Sequence, residues 1–264
     1  LPTEFGNLKL LKYLKIHSNY LETLPQSIGE CSKLEYIDIS HNKCTELPES
    51  MQYLISLTHL DISDNRITAF PYNIGDCLNL LYINATINKI AYIPPSFSQL
   101  SKLEYCNLEN NDIVLSPNCF NQLSSCKYFN MRTNASTVLH ADIGSMCNLT
   151  MLDMSMNAIT SLPLEIGMLR CLQELKLHRN QIVTIPPELG SCVLLQRLEV
   201  PYNQLQGCLP ETIGLVRSLV HLDVSFNAIE GLPRSIVGLQ QLTSINAERC
   251  LLTSLPDTFT YLDR

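Results

Sequence analysis

An asparagine recurs along the chain at a fixed interval, and this interval limits the possible fold more than any other feature of the sequence. Nine asparagines follow one another in steps of 23 residues, one step of 24 leads to a tenth, and a further step of 23 reaches Cys250. These marker asparagines are Asn19, Asn42, Asn65, Asn88, Asn111, Asn134, Asn157, Asn180, Asn203 and Asn227. Fixed periods of about 20–50 residues are typical of solenoids, in which stacked repeats share one core.

The same apolar frame surrounds each marker. In the third repeat Leu60 and Ile62 alternate with polar residues, which predicts a short strand with one buried face. A proline later in most repeats, such as Pro71, fixes an extended bend. We expect an α/β solenoid with a parallel sheet on its concave face and short helical, 3₁₀ or irregular segments on its convex face. The markers are expected to bond backbone groups of the neighbouring turn.

Two repeats illustrate the frame: LKYLKIHSNYLETLPQSIGECSK from Leu11, and LEYIDISHNKCTELPESMQYLIS from Leu34. This pattern resembles the leucine-rich repeat, LxxLxLxxNxL, of the 23-residue intracellular type with an LPxxIGxLxxL second half. The resemblance implies a horseshoe solenoid similar to Ras-group scaffolds, the Sur-type Ras-binding proteins and Ras suppressor proteins. We expect residues 1–264 to form one domain of about eleven repeats with partial repeats at both ends, as in a fragment of a longer solenoid.

The frame departs from its pattern in two places. Ser116, Ser136 and His140 occupy positions that otherwise hold aliphatic residues or proline, which predicts an irregular convex side near residues 112–142. Drift in an exposed turn and a bulge that contacts a partner both explain this stretch. The 24-residue step includes Gly207 and is similar to plant-type repeats.

The charge and the cysteine content of the chain argue against several classes of partner and indicate its cellular location. The net charge is −7, from 18 basic and 25 acidic residues, which argues against a nucleic acid or an anionic membrane as main partner. No apolar run reaches the roughly 18–20 residues of a bilayer span. The 11 cysteines are odd in number and mostly fill aliphatic positions, so we expect reduced thiols and a cytoplasmic protein. No motif indicates catalysis, a cofactor or a metal site.

The strand residues that point away from the core are the candidate binding surface. Residues 13–133 place a column of tyrosines beside a column of Asp and Asn, whereas residues 174–249 carry mixed charge with exposed aromatic residues. Tyr and Arg are enriched among the residues that contribute most to binding energy at interfaces. Tyrosine also has a high intrinsic β-propensity, which would explain the column without any partner. The predicted partner-binding residues are Tyr36, His59, Asp61, Tyr82, Asn84, Tyr105, Asn107, Tyr128, Arg132, Arg179, Arg197, Tyr202 and Phe226.

The sequence therefore predicts a non-catalytic protein–protein interaction module that grips its partner on the concave face, in intracellular signalling. By resemblance, a small GTPase or a phosphatase subunit is a candidate partner, and nucleic-acid binding and membrane insertion are not expected. Two other functions fit the same repeats. One is a regulatory or targeting arm of a larger signalling enzyme, such as a kinase, cyclase or phosphatase. The other is an extracellular recognition domain.

Overall fold

Two compact units make up the chain, Leu1–Ala135 and Ser136–Arg264. The computed structural model describes residues 1–258, so Phe259 and Leu262, which the sequence assigns to a last convex segment, lie outside the described residues. The prediction of a single domain over residues 1–264 stays a prediction.

Unit 1 contains one parallel sheet whose strands follow chain order, one strand per repeat. Its strands are β1 Tyr13–Lys15, β2 Tyr36–Asp38, β3 His59–Asp61, β4 Tyr82–Asn84, β5 Tyr105–Asn107 and β6 Tyr128–Asn130. Its 3₁₀ helices are Thr3–Asn7, Gln26–Glu30, Glu49–Tyr53, Ile74–Asp76 and Pro95–Gln99. Equivalent residues pair across the sheet, as Tyr82 does with Tyr105, so each column of side chains crosses the strands in register.

Unit 2 repeats this plan and adds a second small sheet. Its strands are β7 Met151–Asp153, β8 Glu174–Lys176, β9 Arg197–Glu199, β10 Gln206–Cys208, β11 His221–Asp223, β12 Ala228–Gly231 and β13 Ser244–Asn246. Its 3₁₀ helices are Ala141–Ser145, Leu164–Met168, Pro187–Ser191, Glu211–Leu215 and Arg234–Gly238. In the main sheet β7, β8, β9, β11 and β13 are consecutive neighbours, and β10 pairs in parallel with β12.

The extra residue of the 24-residue step lies where the second sheet forms. Gly207 has φ +63°, a value that glycine adopts without the steric penalty of a side chain. The register between β10 and β12 shifts between Gly207 and Cys208. The sequence marked this repeat as unusual, but the second sheet itself was not predicted.

The core forms where the repeats stack. The middle residue of each main-sheet strand points inward, and Leu60 and Ile62 are fully buried. Aromatic residues pack beneath the 3₁₀ side, where the ring centroids of Phe70 and Phe97 lie 5.5 Å apart. The predicted solenoid with a parallel sheet and 3₁₀ segments is confirmed. Every helix found in residues 1–258 is of the 3₁₀ type, and none has the length and apolar character that a bilayer span requires.

The convex side is irregular over a shorter stretch than the sequence predicts. Turns and bends at residues 117–122 replace the 3₁₀ helix of this repeat, and Asn118 has φ +69°. The regular pattern resumes at Ala141–Ser145, because His140 adopts φ −79° and ψ 158°, close to the values of Pro163 at the same place in the next repeat. A backbone conformation that proline imposes is therefore available to histidine here.

Each marker asparagine from Asn42 to Asn227 joins two successive turns. In unit 1 the Asn65 Nδ2 donates to the carbonyl oxygens of Ile39, 2.9 Å away, and Ile62, 3.1 Å away. Its Oδ1 accepts from the Cys44 backbone N–H at 2.9 Å. In unit 2 Asn180 makes the corresponding three bonds at 2.9–3.0 Å. These bonds satisfy backbone groups that the turn would otherwise bury without partners.

Candidate functional site

The tyrosine column of unit 1 is a continuous row of rings on the open face of the sheet. It consists of the first residue of each strand, namely Tyr13, Tyr36, His59, Tyr82, Tyr105 and Tyr128. The rings lie closest at one end, where the centroids of Tyr82 and Tyr105 are 4.6 Å apart and those of Tyr105 and Tyr128 are 4.4 Å apart. Both pairs are nearly parallel, with interplanar angles of 7° and 8°. Ring stacking therefore fixes the side chains before any partner arrives.

The other half of the column is looser. His59 stacks between Tyr36 and Tyr82 with centroid distances of 5.6 Å on each side. Tyr13 is tilted by 43° against Tyr36 and keeps 60% of its surface exposed. Burial raises the pKa of the Tyr82 hydroxyl to about 12, and the neighbouring Tyr105 and Asp61 add to the shift. The Tyr82 hydroxyl is therefore uncharged at neutral pH.

The polar column beside the tyrosines also holds the backbone at the strand ends. The Asp61 Oδ1 accepts hydrogen bonds from the Ser63 N–H at 3.0 Å and the Ser63 hydroxyl at 2.6 Å. Asn84 and Asn107 accept in the same way from the N–H two residues later. This is the Asx-turn arrangement. These predicted partner-binding residues thus have a structural role that the sequence reading did not assign to them.

Side chains of the polar column also bond to one another between neighbouring strands. The Asp61 Oδ2 accepts from the Asn84 Nδ2 at 3.0 Å, and both side chains stay half-buried. At the far end Glu109 accepts from the Asn130 Nδ2 at 3.0 Å, and its other oxygen lies 3.8 Å from the Arg132 Nε. Unit 1 therefore brings stacked rings and acidic groups together on one face.

The open face of unit 2 carries ion pairs in place of the tyrosine column. The Arg197 Nη1 lies 3.0 Å from the Glu199 Oε1 on the same strand, and the Lys176 Nζ lies 2.9 Å from the Glu174 Oε2. Pairs this exposed contribute about 0–1 kcal/mol to stability. Arg197 is thus occupied by a neighbour and does not contact the other predicted binding residues of unit 2.

A second row of side chains follows the turn just before the markers. In unit 2 this row contains the arginine–aromatic stack, which we define as Arg179, Tyr202, Phe226 and Arg249. The rings of Tyr202 and Phe226 stack with centroids 4.1 Å apart and an interplanar angle of 12°. The guanidinium carbon of Arg179 lies 5.2 Å from the centre of the Tyr202 ring, and that of Arg249 lies 5.8 Å from the centre of the Phe226 ring. Each is within the distance of a cation–π contact.

The backbone at every position of this turn row is left-handed, with positive φ. The row comprises Ser18, His41, Asp64, Ile87, Asn110, Thr133, Met156, Arg179, Tyr202, Phe226 and Arg249. Sequence reasoning placed three members of the stack among the binding residues but missed Arg249, and it did not foresee the left-handed backbone. The 23-residue spacing was the available signal, because Arg249 precedes Cys250 as Phe226 precedes Asn227.

Comparison with known proteins agrees with this geometry. Leucine-rich repeat family models match residues 9–67, 171–192 and 217–232. A solved leucine-rich repeat protein of Leptospira interrogans is 28% identical, with a TM-score of 0.74 over 99% of this chain and 72% of that one. The fold is therefore that of leucine-rich repeat proteins. No curated protein matches the chain at a significant level.

Two further solved structures share the leucine-rich repeat fold. The plant peptide hormone receptor RGFR1, solved in complex with RGF2, is 25% identical with a TM-score of 0.72. The match covers 99% of this chain and 51% of the receptor chain, so this chain spans about half of it. An internalin of Listeria monocytogenes is 22% identical with a TM-score of 0.73, over 98% of this chain and 80% of that one.

The cysteines of this chain belong mainly to its core. All 11 are free thiols, and seven of them are buried. Burial raises the pKa of Cys77 and of Cys126 to about 12, so these thiols stay protonated at neutral pH. Among residues 1–258 there is no group of three or more His, Cys, Asp or Glu side chains that could hold a metal ion.

Proposed function

We propose that the chain is a non-catalytic module that binds a partner protein on the tyrosine column of unit 1. The observation that carries this proposal is the stack of Tyr82, Tyr105 and Tyr128 on an open sheet face. Rings held in place by their neighbours lose little conformational entropy on binding, and tyrosine offers an apolar surface with a polar tip. We propose no catalytic role for Asp61, Asn84 and Asn107, because the Oδ1 of each accepts a backbone N–H of its own turn.

The charge of the face indicates the chemistry of the partner. Asp61 and Asp38 both face outward beside the rings, and each accepts hydrogen bonds only from nearby serine or asparagine groups. A partner with a basic patch would complement these carboxylates, and the association should be faster at low salt. The receptor RGFR1, solved with RGF2, supports a binding role for a fold of this kind.

We also propose a cytoplasmic location and a role in signalling. Support for the location comes from the cysteines, which occupy aliphatic positions of the core instead of a disulfide framework. A small GTPase or a phosphatase subunit is the partner class that the resemblance to Ras-group scaffolds suggests. Mass spectrometry of the native protein tests the location, since disulfides or glycans would contradict it.

The partner test replaces Tyr82, Tyr105 and Tyr128 together with alanine. We expect retention of the partner in affinity capture from the native cell to fall by about 30-fold or more, the effect of removing interface hot spots. A matched control replaces Tyr53, Tyr72 and Tyr92, three exposed tyrosines that lie off the sheet face. The control should retain the partner. Equal capture by both variants, with circular dichroism and melting temperature unchanged, would contradict the proposal.

A further inference from the structure

The arginine–aromatic stack occupies a position where bulky side chains are unfavourable. Arg179, Tyr202, Phe226 and Arg249 have φ between +54° and +55°. For residues other than glycine and asparagine, this left-handed conformation costs about 1–2 kcal/mol. A turn that served only to reverse the chain would be more stable with asparagine there, as at Asn110 in unit 1. The whole turn row shares this backbone, so the stack differs from the rest of the row in its side chains.

The charges of the stack are available to a ligand. Arg179 is exposed and has no carboxylate partner within 4.0 Å among residues 1–258; its ring contact with Tyr202 leaves the edge of the guanidinium free. The Arg249 Nε lies 3.7 Å from the Glu248 Oε1, but these side chains are 72% and 64% exposed, so the pair is weak. Arg197 differs, because its Nη1 donates to Glu199 at 3.0 Å.

The carboxylate of Asp223 bonds to other groups and does not compete for these arginines. The Asp223 Oδ1 accepts from the Ser225 N–H at 2.9 Å and from its hydroxyl at 2.7 Å. The Asp223 Oδ2 accepts from the Asn246 Nδ2 at 3.2 Å. The stack therefore presents two guanidinium groups with an aromatic surface between them, and Tyr202 keeps 45% of its surface exposed.

We propose that the arginine–aromatic stack binds an extended acidic segment of a partner protein that runs across the strands. One carboxylate would lie on Arg179, another on Arg249, and an apolar side chain between them on the edges of the Tyr202 and Phe226 rings. Guanidinium groups bind carboxylates through two parallel hydrogen bonds. This inference rests on the proposed interaction function and adds a second surface with opposite charge preference.

The spacing of the repeats fixes the spacing of the acids. Arg179 and Arg249 are three repeats apart, which corresponds to about 14 Å at roughly 4.8 Å per strand. An extended segment advances about 3.3 Å per residue, so the two acidic residues should be four positions apart. An RNA or another polyanion is less suitable, because the chain carries a net charge of −7.

The test uses a fluorescein-labelled peptide whose core reads Glu-Ser-Leu-Ser-Glu, with affinity for the whole chain measured by fluorescence anisotropy. One control peptide has glutamine in place of both glutamates, and another has the two glutamates adjacent. We expect Arg179→Gln and Arg249→Gln each to weaken binding of the first peptide about tenfold. Arg217→Gln removes an exposed arginine of the same unit that lies outside the stack, and should leave the affinity unchanged.

Further variants keep the result interpretable. Arg179→Lys retains the charge but not the planar fork, so its affinity should be intermediate. The triple variant of Tyr82, Tyr105 and Tyr128 should bind the peptide normally, so a failure here and a failure of the proposed function are distinguishable. Equal binding of the glutamine peptide, or unchanged affinity of the double variant Arg179→Gln and Arg249→Gln at an unchanged melting temperature, would overturn the inference. Tighter binding of single-stranded RNA than of the peptide would overturn the ligand class.

Discussion

The open faces of the two units differ in how their side chains are held, although the backbones beneath them follow one plan. In unit 1 the rings of Tyr82, Tyr105 and Tyr128 hold one another on the strands. In unit 2 the same strand position carries charged groups such as Arg197, and the aromatic contact moves to the turn row, between Tyr202 and Phe226.

This difference teaches which parts of a repeat are fixed by the fold. In both units the inward residues pack the core and the marker asparagines bond backbone groups. The strand and turn side chains on the open face differ between the units, because the fold does not depend on them. The turn row shows this freedom most clearly. His41 and Asp64 form an exposed 2.6 Å pair in unit 1, and Arg179 contacts a ring at the corresponding position in unit 2.

Removing a marker should have the largest effect, and it should be equal in the two units. We expect Asn65→Ala and Asn180→Ala each to lower the free energy of unfolding by about 2 kcal/mol, because one buried backbone N–H loses its partner and two carbonyl oxygens each lose one of two hydrogen bonds. Asn19→Ala is the control, since Asn19 is exposed and bonds only the carbonyl oxygens of Ile16 and His17. Chemical denaturation measures the change. A loss of stability in only one of the two variants would contradict the equal role of the markers in the two units.

Relieving strain in the turn row should have a smaller effect, and here the units should differ. Ile87 is β-branched, half exposed and at φ +55°, so Ile87→Asn should raise the free energy of unfolding by about 1 kcal/mol. Phe226→Asn relieves similar strain but removes the ring and cation–π contacts, which offset it by about 1–2 kcal/mol. Equal gains from both variants would show that the stack contributes nothing to stability.

The smallest effect concerns alkaline pH and belongs to unit 1. The pKa of Tyr82 is raised to about 12 in the folded chain, from an ordinary value near 10. The stability from keeping this hydroxyl neutral is fully present below about pH 10 and is lost as the pH rises through about 12. Tyr82→Phe should therefore lose less stability than the wild type between about pH 10 and pH 12 in urea denaturation. If both proteins lost the same stability, burial of the Tyr82 hydroxyl would not be the cause of the alkaline destabilisation.

The sequence was sufficient for everything that depends on periodicity. The 23-residue step located the strands, the core positions and the alignment of the tyrosine column, because parallel stacking repeats each contact in register. The bonds of Asn65 to the preceding turn follow from the same register.

Features that depend on local backbone geometry could not be predicted from the sequence. Positive φ in the turn row gave no signal, because the residues there, such as Ile87 and Phe226, are not the glycines that usually mark it. The strands β10 and β12 form where one residue is inserted. The sequence shows the position of the insertion but does not predict that the two strands pair. The double role of Asp61 depends on a hydrogen bond to Ser63 that spacing alone does not predict.

The direction of the marker bonds has a consequence for how the protein is made. Asn65 satisfies the carbonyl oxygen of Ile39 and the N–H of Cys44, both of which belong to the preceding turn. The amino end of the chain leaves the ribosome first. The backbone hydrogen bonds of each new turn are therefore completed only when the marker asparagine of the next repeat has emerged. Folding should therefore trail translation by about one repeat, and a nascent chain halted after Ile62 would leave the Cys44 N–H bonded to water.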